Sequence, residues 1–127
     1  KLFFYIDKIN SYYNTNKQLT VKISTYGQTI SIDKNNIIFL ESHERKVMYH
    51  TNSQKYEEYI KLDNAMNKLD NSFLRCHKSY AVNLKYVSDF SKSNILLINN
   101  KSIPVSRSHY DNVKKLIYEY NASKIGL

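Results

Sequence analysis

The segment from residue 75 to residue 79 places Arg, His and Lys side chains, a thiol and a hydroxyl in five consecutive positions. It runs directly into the apolar residues Tyr80, Ala81 and Val82. Cationic and hydroxyl donors on an extended segment are the groups that bind the phosphate oxygens and base edges of nucleic acids. A solvated strand end with an ordinary charge cluster explains the same residues equally well, so the segment alone indicates a nucleic-acid contact without establishing it.

The distribution of charge points in the same direction. The chain of 127 residues has a formal net charge of +8. Residues 71–115 carry eight Lys and Arg against two Asp, a net of +6, whereas residues 1–70 carry ten against eight Asp and Glu, a net of +2. Neutralisation of phosphates releases counterions and drives association, so a polyanion is the simplest partner for such a segment. Many basic domains are charged only for solubility, and the charge is therefore supporting evidence.

The hydrophobic pattern predicts a mainly β domain. Apolar and polar residues alternate over residues 19–24 and again over residues 30–33, and Gly27 lies between them, which is typical of a hairpin with one buried face. A polar loop is expected at residues 41–45. Further short strands are predicted at residues 37–40, 46–51, 86–90, 95–98 and 102–105, together with a strand that begins at residue 73 and alternates between two faces through residue 80.

Two helices complete the predicted elements. Asp63 is expected to cap a short mid-chain helix whose inner face carries Met66 and Leu69. At the end of the chain, Ser108 and Asp111 form a plausible capping box. The apolar stripe of this second helix has helical spacing and is expected to pack in the core; it consists of Tyr110, Val113, Leu116, Ile117 and Tyr120.

Three segments, in order, resemble the LytTR DNA-binding domain, the output module of AgrA- and VirR-like response regulators. They are residues 73–84 (FLRCHKSYAVNL), 103–107 (IPVSR) and 112–116 (NVKKL), and residues 37–42 (IIFLES) are similar to the first core strand of that family. The resemblance covers roughly residues 19 to 118. It implies an elongated arrangement of short antiparallel sheets with a short mid-chain helix and a C-terminal helix.

The resemblance also implies where DNA would be contacted, because LytTR domains insert loops into successive major grooves on one side of the duplex. Arg107 matches a base-reading arginine before the final helix, and Lys78 matches a DNA-contacting polar residue. In the loop between residues 40 and 46 the sequence departs from the AgrA pattern, and either Arg45 or His43 is expected to read a base. Arg45 is favoured because Arg bonds the O6 and N7 atoms of guanine bidentately. The alternative is that Arg45 is an ordinary solvent-exposed charge in the hairpin and does not contact DNA.

Other polar groups near these positions are expected to assist at phosphates or through water. They are Ser79 and Arg75 in residues 73–84, which we call the signature segment, and Ser106 beside Arg107. Asn83 also matches a family position, and a turn is its expected role.

Cys76 has two possible roles. Its neighbours Arg75 and His77 could favour the thiolate and make the residue sensitive to oxidation, as proposed for a similar cysteine in AgrA-like relatives. A small buried apolar residue is the favoured alternative.

Other classes of protein fit the sequence less well. Cys76 and His77 are adjacent strand residues that face opposite ways, which argues against a nucleophile and base pair. The four His and one Cys have no usual metal-ligand spacing, and two glycines leave no phosphate loop, so neither an enzyme nor a cofactor or metal is expected. No apolar run is long enough to span a membrane. A β module that binds single-stranded RNA through tyrosines remains the alternative.

The expected context is that of a two-component system. Residues 1–17 are predicted to be the remnant of an interdomain linker, and residues 18–127 the DNA-binding domain. The chain lacks an initiator methionine and is interpreted as a fragment. By resemblance, an N-terminal receiver domain would precede it, two copies would bind paired direct repeats in promoters as a dimer on DNA, and the genes would be of the virulence or quorum-sensing type. The single cysteine suits a reducing compartment, hence the bacterial cytoplasm.

Overall fold

The structure is a computed structural model that describes residues 19–91 and 93–124, and it contains three antiparallel sheets and two α-helices. The strands are β1 (Thr20–Thr25), β2 (Gln28–Asp33), β3 (Ile37–His43), β4 (Lys46–Thr51), β5 (Lys55–Glu58), β6 (Phe73–His77), β7 (Tyr80–Asn83), β8 (Val87–Phe90), β9 (Asn94–Leu97) and β10 (Ser102–Pro104). The helices are α1 (Leu62–Asn67) and α2 (Arg107–Lys124). The mainly β prediction is confirmed. Within the described ranges, neither helix is long and apolar enough to cross a membrane.

A five-stranded sheet of order β5-β4-β3-β7-β6 forms the middle layer, with a separate core on each face. On one face, Ile37 and Leu40 of β3 pack with the β1–β2 hairpin and α1. On the other face, Ile38 and Phe39 pack with the three-stranded sheet β10-β9-β8 and with Val113 of α2. Burial on both faces explains why residues 37–40 are an unbroken apolar run and do not alternate.

The predicted hairpin at residues 19–33 is confirmed, with paired positions from Thr20 with Asp33 to Thr25 with Gln28. Tyr26 and Gly27 form its two-residue turn with φ of +49° and +76°. Positive φ at both central residues gives the turn the twist that antiparallel strands require, and glycine adopts such angles without strain.

The predicted single strand from residue 73 to residue 80 is wrong. The chain turns back at residues 78–79, so β6 and β7 form a hairpin, and the register shifts between Arg75 and His77. Both faces of β6 meet a core, because Phe73 belongs to one core while Leu74 and Cys76 belong to the other. Strict alternation cannot assign faces across a turn and a register shift.

Both predicted helix caps are wrong. Helix α1 begins at Leu62, and the side chain of Lys61 before it makes no capping hydrogen bond with any described residue. Asp63 lies in the first turn and pairs instead with Arg75. Helix α2 begins at Arg107, so Ser108 lies inside its first turn. Strand β5 was not predicted, and residues 1–17, assigned to a linker, lie outside the described residues.

A buried carboxylate joins three of these elements. Glu58, at the end of β5, is 6% exposed. Its carboxylate accepts hydrogen bonds from the hydroxyl of Tyr49 (2.7 Å), the amide of Ser24 (2.9 Å) and the amine of Lys68 (2.9 Å). Burial raises the pKa of Glu58, but these donors outweigh burial and hold the pKa below its usual value. The ionised carboxylate on β5 is therefore hydrogen-bonded to β1, to β4 and to the segment that follows α1.

We expect Glu58→Gln to lower the free energy of unfolding by about 2 kcal/mol near neutral pH, since hydrogen bonds to a charged acceptor are lost. The folded pKa lies below the unfolded pKa, so this stabilisation is present above the unfolded pKa, about 4.3, and is lost as the pH falls through the folded pKa. Urea denaturation at several pH values measures both effects. Glu119→Gln, on the exposed face of α2, is the control; equal losses in the two variants would contradict the role of Glu58.

Candidate nucleic-acid interface

Two hairpin turns lie at the same end of the five-stranded sheet. Residues 44–45 connect β3 to β4, and residues 78–79 connect β6 to β7. Strands β3 and β7 are antiparallel, with Glu41 opposite Tyr80, so the end of β3 lies beside the start of β7. The amide of Ser42 donates to the carbonyl oxygen of Ser79 at 2.8 Å, which joins the two turns directly.

A third segment reaches this end through β6. Residues 105–106 lead from β10 into α2, and the amide of Ser106 donates to the carbonyl oxygen of Cys76 at 3.0 Å. Cys76 is one residue from the end of β6, so the first turn of α2 begins beside the turn that carries Lys78. The three segments predicted to contact DNA are thus brought to one end of the sheet by backbone hydrogen bonds. We call this end the loop end.

The β3–β4 connection is shorter than predicted. Strand β3 continues to His43, so only Glu44 and Arg45 form the turn, with φ of +50° and +67°. The predicted polar loop at residues 41–45 therefore begins too early, because residues 41–43 belong to β3. Arg45 is exposed in the turn, whereas Nε2 of His43 lies 3.7 Å from the Glu44 carboxylate. Both His43 and Glu44 are largely exposed, so this pair is screened by solvent.

The β6–β7 turn is held by Arg75. Its guanidinium donates to the carbonyl oxygens of His77 (2.7 Å) and Lys78 (2.5 Å) and pairs with Asp63 of α1. These contacts hold the turn in position, and the expected phosphate contact of Arg75 stays a prediction. The amide of Ser79 donates to Nδ1 of His77 at 3.1 Å. Lys78 is exposed at the tip.

Arg107 is the first residue of α2 and is exposed. The prediction placed it in a loop before the helix. At a helix N-terminus, free backbone amides and the helix dipole favour anions. The hydroxyl of Ser106 lies 2.6 Å from Nδ1 of His109, and its amide is bonded to Cys76, so Ser106 is largely used in fixing the start of the helix.

Two further residues lie at the loop end that the sequence pattern does not indicate, Lys46 and Tyr59. The amine of Lys46 lies 5.3 Å from the centre of the Tyr59 ring and 3.5 Å from the Glu57 carboxylate, and Glu57 raises its pKa. Tyr59 is 78% exposed. Recognition of β5 as a strand paired with β4 would have placed Tyr59 beside Lys46.

Asn83 has the turn role expected of it. It is 2% exposed, and its side chain accepts from the amide of Lys85 (3.0 Å) at the start of a short 3₁₀ turn. The same side chain donates to the carbonyl oxygen of Ile37 (2.9 Å).

Cys76 is fully buried, and burial raises the pKa of its thiol to about 12 although Arg75 acts to lower it. The Sγ atom contacts the carbonyl oxygen of Tyr80 at 3.6 Å. The electrostatic argument for a thiolate at Cys76 therefore does not hold, because desolvation outweighs the neighbouring charge. The structure favours the alternative of a small core residue.

We expect Cys76 to react with a thiol reagent at neutral pH at least about a hundredfold more slowly in the folded chain than in urea, since the thiolate is disfavoured and shielded. Mass spectrometry of quenched samples measures both rates. Ser53→Cys in the exposed β4–β5 turn supplies a control thiol that should react rapidly in the folded protein. Equal rates at Cys76 and position 53 would restore the redox hypothesis.

No group of three or more His, Cys, Asp or Glu among residues 19–91 and 93–124 is arranged to hold a metal ion. The loop end presents exposed cationic side chains on turns supported by a sheet whose central strand is buried on both faces. This arrangement is typical of a nucleic-acid-binding β domain.

Comparison with known proteins identifies the family. The LytTr DNA-binding domain family matches residues 27–118, and the chain belongs to this family. The resemblance stated from the sequence is thereby confirmed. A solved structure, the LytTr DNA-binding domain of a putative methyl-accepting/DNA response regulator from Bacillus cereus, has the same fold, with a TM-score of 0.66 and 23% identity over 77% of this chain and 95% of that one.

Two curated relatives are similar over most of the chain. They are the transcriptional regulatory protein YpdB of Escherichia coli K12, 27% identical over 111 residues, and the sensory transduction protein LytT of Bacillus subtilis 168, 27% identical over 107 residues. The matches cover 82% and 80% of this chain but 46% and 44% of the relatives. The chain thus spans about half the length of these proteins.

Proposed function

We propose that this chain binds duplex DNA sequence-specifically and regulates transcription as the output domain of a two-component response regulator. The observation that carries the proposal is the joining of three turn segments at the loop end by the Ser42–Ser79 and Ser106–Cys76 backbone hydrogen bonds. Exposed Arg and Lys side chains project from all three segments. Membership of the LytTR family supports DNA as the ligand.

Each segment has a proposed role. Arg107 reads a base from the start of α2, and Arg45 reads a second base in a neighbouring part of the major groove. Arg45 is preferred to His43 because it stands at the tip of a two-residue turn, whereas His43 lies beside Glu44. Lys78 binds a phosphate, with the hydroxyls of Ser79 and Ser106 assisting through water.

The proposed context follows from the relatives. A chain that covers about half of a transcriptional regulatory protein and of a sensory transduction protein suits an output domain joined to an N-terminal receiver domain in the cytoplasm. Binding of two copies to promoter direct repeats, and control of virulence or quorum-sensing genes, are the finer parts of the proposal. They rest on the family resemblance.

We expect Arg107→Ala to weaken binding to the preferred site by about 1–3 kcal/mol and to relax discrimination at one base position, since a bidentate base contact is lost. Selection of sites from a random duplex pool followed by gel-shift titration of single-base variants measures both. Lys55→Ala, at the opposite end of the sheet, is the charge-matched control. Unchanged discrimination by Arg107→Ala would contradict its role.

We expect Lys78→Ala to weaken binding to all duplexes about equally and to reduce the slope of log K against log salt by about 1, because one phosphate contact is removed. Titrations at four salt concentrations, with specific and random duplexes, provide the slopes. A sequence-dependent loss without a change in slope would instead make Lys78 a base-reading residue.

The rival function is binding of single-stranded RNA, favoured by exposed tyrosines such as Tyr26 and Tyr59. Competition between duplex DNA and single-stranded RNA at matched salt separates the two functions. Preference for RNA would overturn the proposal, and loss of RNA competition in a Tyr26→Ala/Tyr59→Ala variant would identify the stacking surface.

A further inference from the structure

A fourth segment, the turn of the β1–β2 hairpin, lies beside the end of β5. The amide of Ser24 donates to the carboxylate of Glu58 at 2.9 Å, which joins the end of β1 to the end of β5. In the turn itself, the hydroxyl of Tyr26 donates to Oε2 of Glu57 at 3.4 Å. Residues 26–27 are therefore held next to β5 by one backbone contact and one side-chain contact.

The end of β5 in turn lies beside the β3–β4 turn. The antiparallel pairing of β5 with β4 brings Tyr59, which follows β5, level with Lys46, the first residue of β4. The amine of Lys46 lies 5.3 Å from the centre of the Tyr59 ring. Because Lys46 directly follows Arg45, the fourth segment continues the loop end on the side of Arg45 that is away from Lys78.

A small cleft separates the hairpin turn from β4 and β5, and two tyrosines project from its walls. Its volume is about 390 Å³, and its lining includes Tyr26, Tyr59, Lys46 and Glu57. The tyrosines are 88% and 78% exposed. The side chains of Lys46 and Glu57 are less than a third exposed, and their amine and carboxylate lie 3.5 Å apart. The cleft thus presents phenol rings and hydroxyls to solvent above an ion pair without net charge.

These groups suit the backbone of duplex DNA. A tyrosine has an apolar ring that can pack on a deoxyribose and a hydroxyl that can donate to a phosphate oxygen, and such backbone contacts fix the register of a protein on the duplex. Stacking of an unpaired base is less favoured at Tyr59, because the amine of Lys46 lies over its ring. The arrangement therefore favours a sugar–phosphate ligand over a single-stranded base.

The spacing of the strands places the tyrosines along the path of a duplex. Strands β7, β3, β4 and β5 are neighbours in the sheet, so with about 4.8 Å between strands the start of β7 and the end of β5 are about 14 Å apart. This distance is the rise of about four base pairs at roughly 3.4 Å each. A duplex that lies along the loop end and meets Lys78 and Arg45 continues over Tyr59 and then Tyr26.

We propose that Tyr26 and Tyr59 form a fourth DNA contact, which binds the sugar–phosphate backbone beside the base read by Arg45. The inference rests on the proposed function, since its ligand is duplex DNA. Lys46 and Glu57 are positioning residues, because Lys46 lies over the ring of Tyr59 and Glu57 accepts from the hydroxyl of Tyr26. Neutral hydroxyls release no counterions, so this contact adds affinity without adding to the salt dependence of binding.

The test compares the full chain with its Tyr26→Ser/Tyr59→Ser variant on a duplex that holds one selected site. We expect binding to weaken about tenfold, the value of a hydrogen bond to a charged acceptor, with an unchanged slope of log K against log salt. Ethylation of single phosphates should interfere with binding of the unmodified chain at one edge of the site, and the variant should lose this interference. Tyr118→Ser, 70% exposed on α2, is the matched control and should change neither result. Urea denaturation verifies that each variant is folded.

Several outcomes would overturn the fourth contact. Unchanged affinity and interference in the double variant would show that the tyrosines do not touch DNA, and relaxed discrimination at a base position would show that they act by positioning Arg45. Loss of single-stranded RNA binding without loss of duplex binding would make them an RNA-stacking surface. Failure of the unmodified chain to bind any duplex would overturn the proposed function as well, whereas duplex binding that ignores the tyrosines overturns this inference alone.

Discussion

Burial of strand β3 on both of its faces is the constraint on which the rest of the structure depends. This strand is the centre of the five-stranded sheet, paired with β4 on one side and β7 on the other. Its residues 37–40 are each 5% exposed or less and divide between two cores. The hairpin and α1 must cover one face and the small sheet and α2 the other, since an uncovered apolar face would lose several kcal/mol of hydrophobic stabilisation.

This layering decides where binding residues can lie. With both faces of β3 covered, its side chains reach solvent only toward the end of the strand. The turns at residues 44–45 and 78–79 are such ends, and the Ser106–Cys76 bond brings the start of α2 to the same place. Side chains on turns held by a rigid sheet lose little conformational freedom on binding, which suits recognition of a regular surface such as duplex DNA.

Some polar residues of the signature segment hold the turn in position, and others are exposed to solvent. Arg75 is committed to two carbonyl oxygens and to Asp63, and Cys76 is sealed in a core. Their neighbour Lys78 is exposed at the tip of the turn that Arg75 holds. Residues close together in the sequence thus have different roles, because the hairpin turn and the register shift give Arg75, Cys76 and Lys78 different environments.

The sequence by itself determined the family, the β1–β2 hairpin and the bounds of β4, because these depend on local alternation, turn residues and short motifs. It did not reveal β5, the two-residue β3–β4 turn, the start of α2 or the buried Glu58, whose partners Ser24 and Tyr49 lie 34 and 9 residues away. Such features depend on contacts between distant segments, which local patterns do not encode. Tertiary structure alone decided that the guanidinium of Arg75 bonds within the chain while Lys78 and Arg107 are exposed at one end of the sheet, since only the packed layers define which donors have partners within the chain.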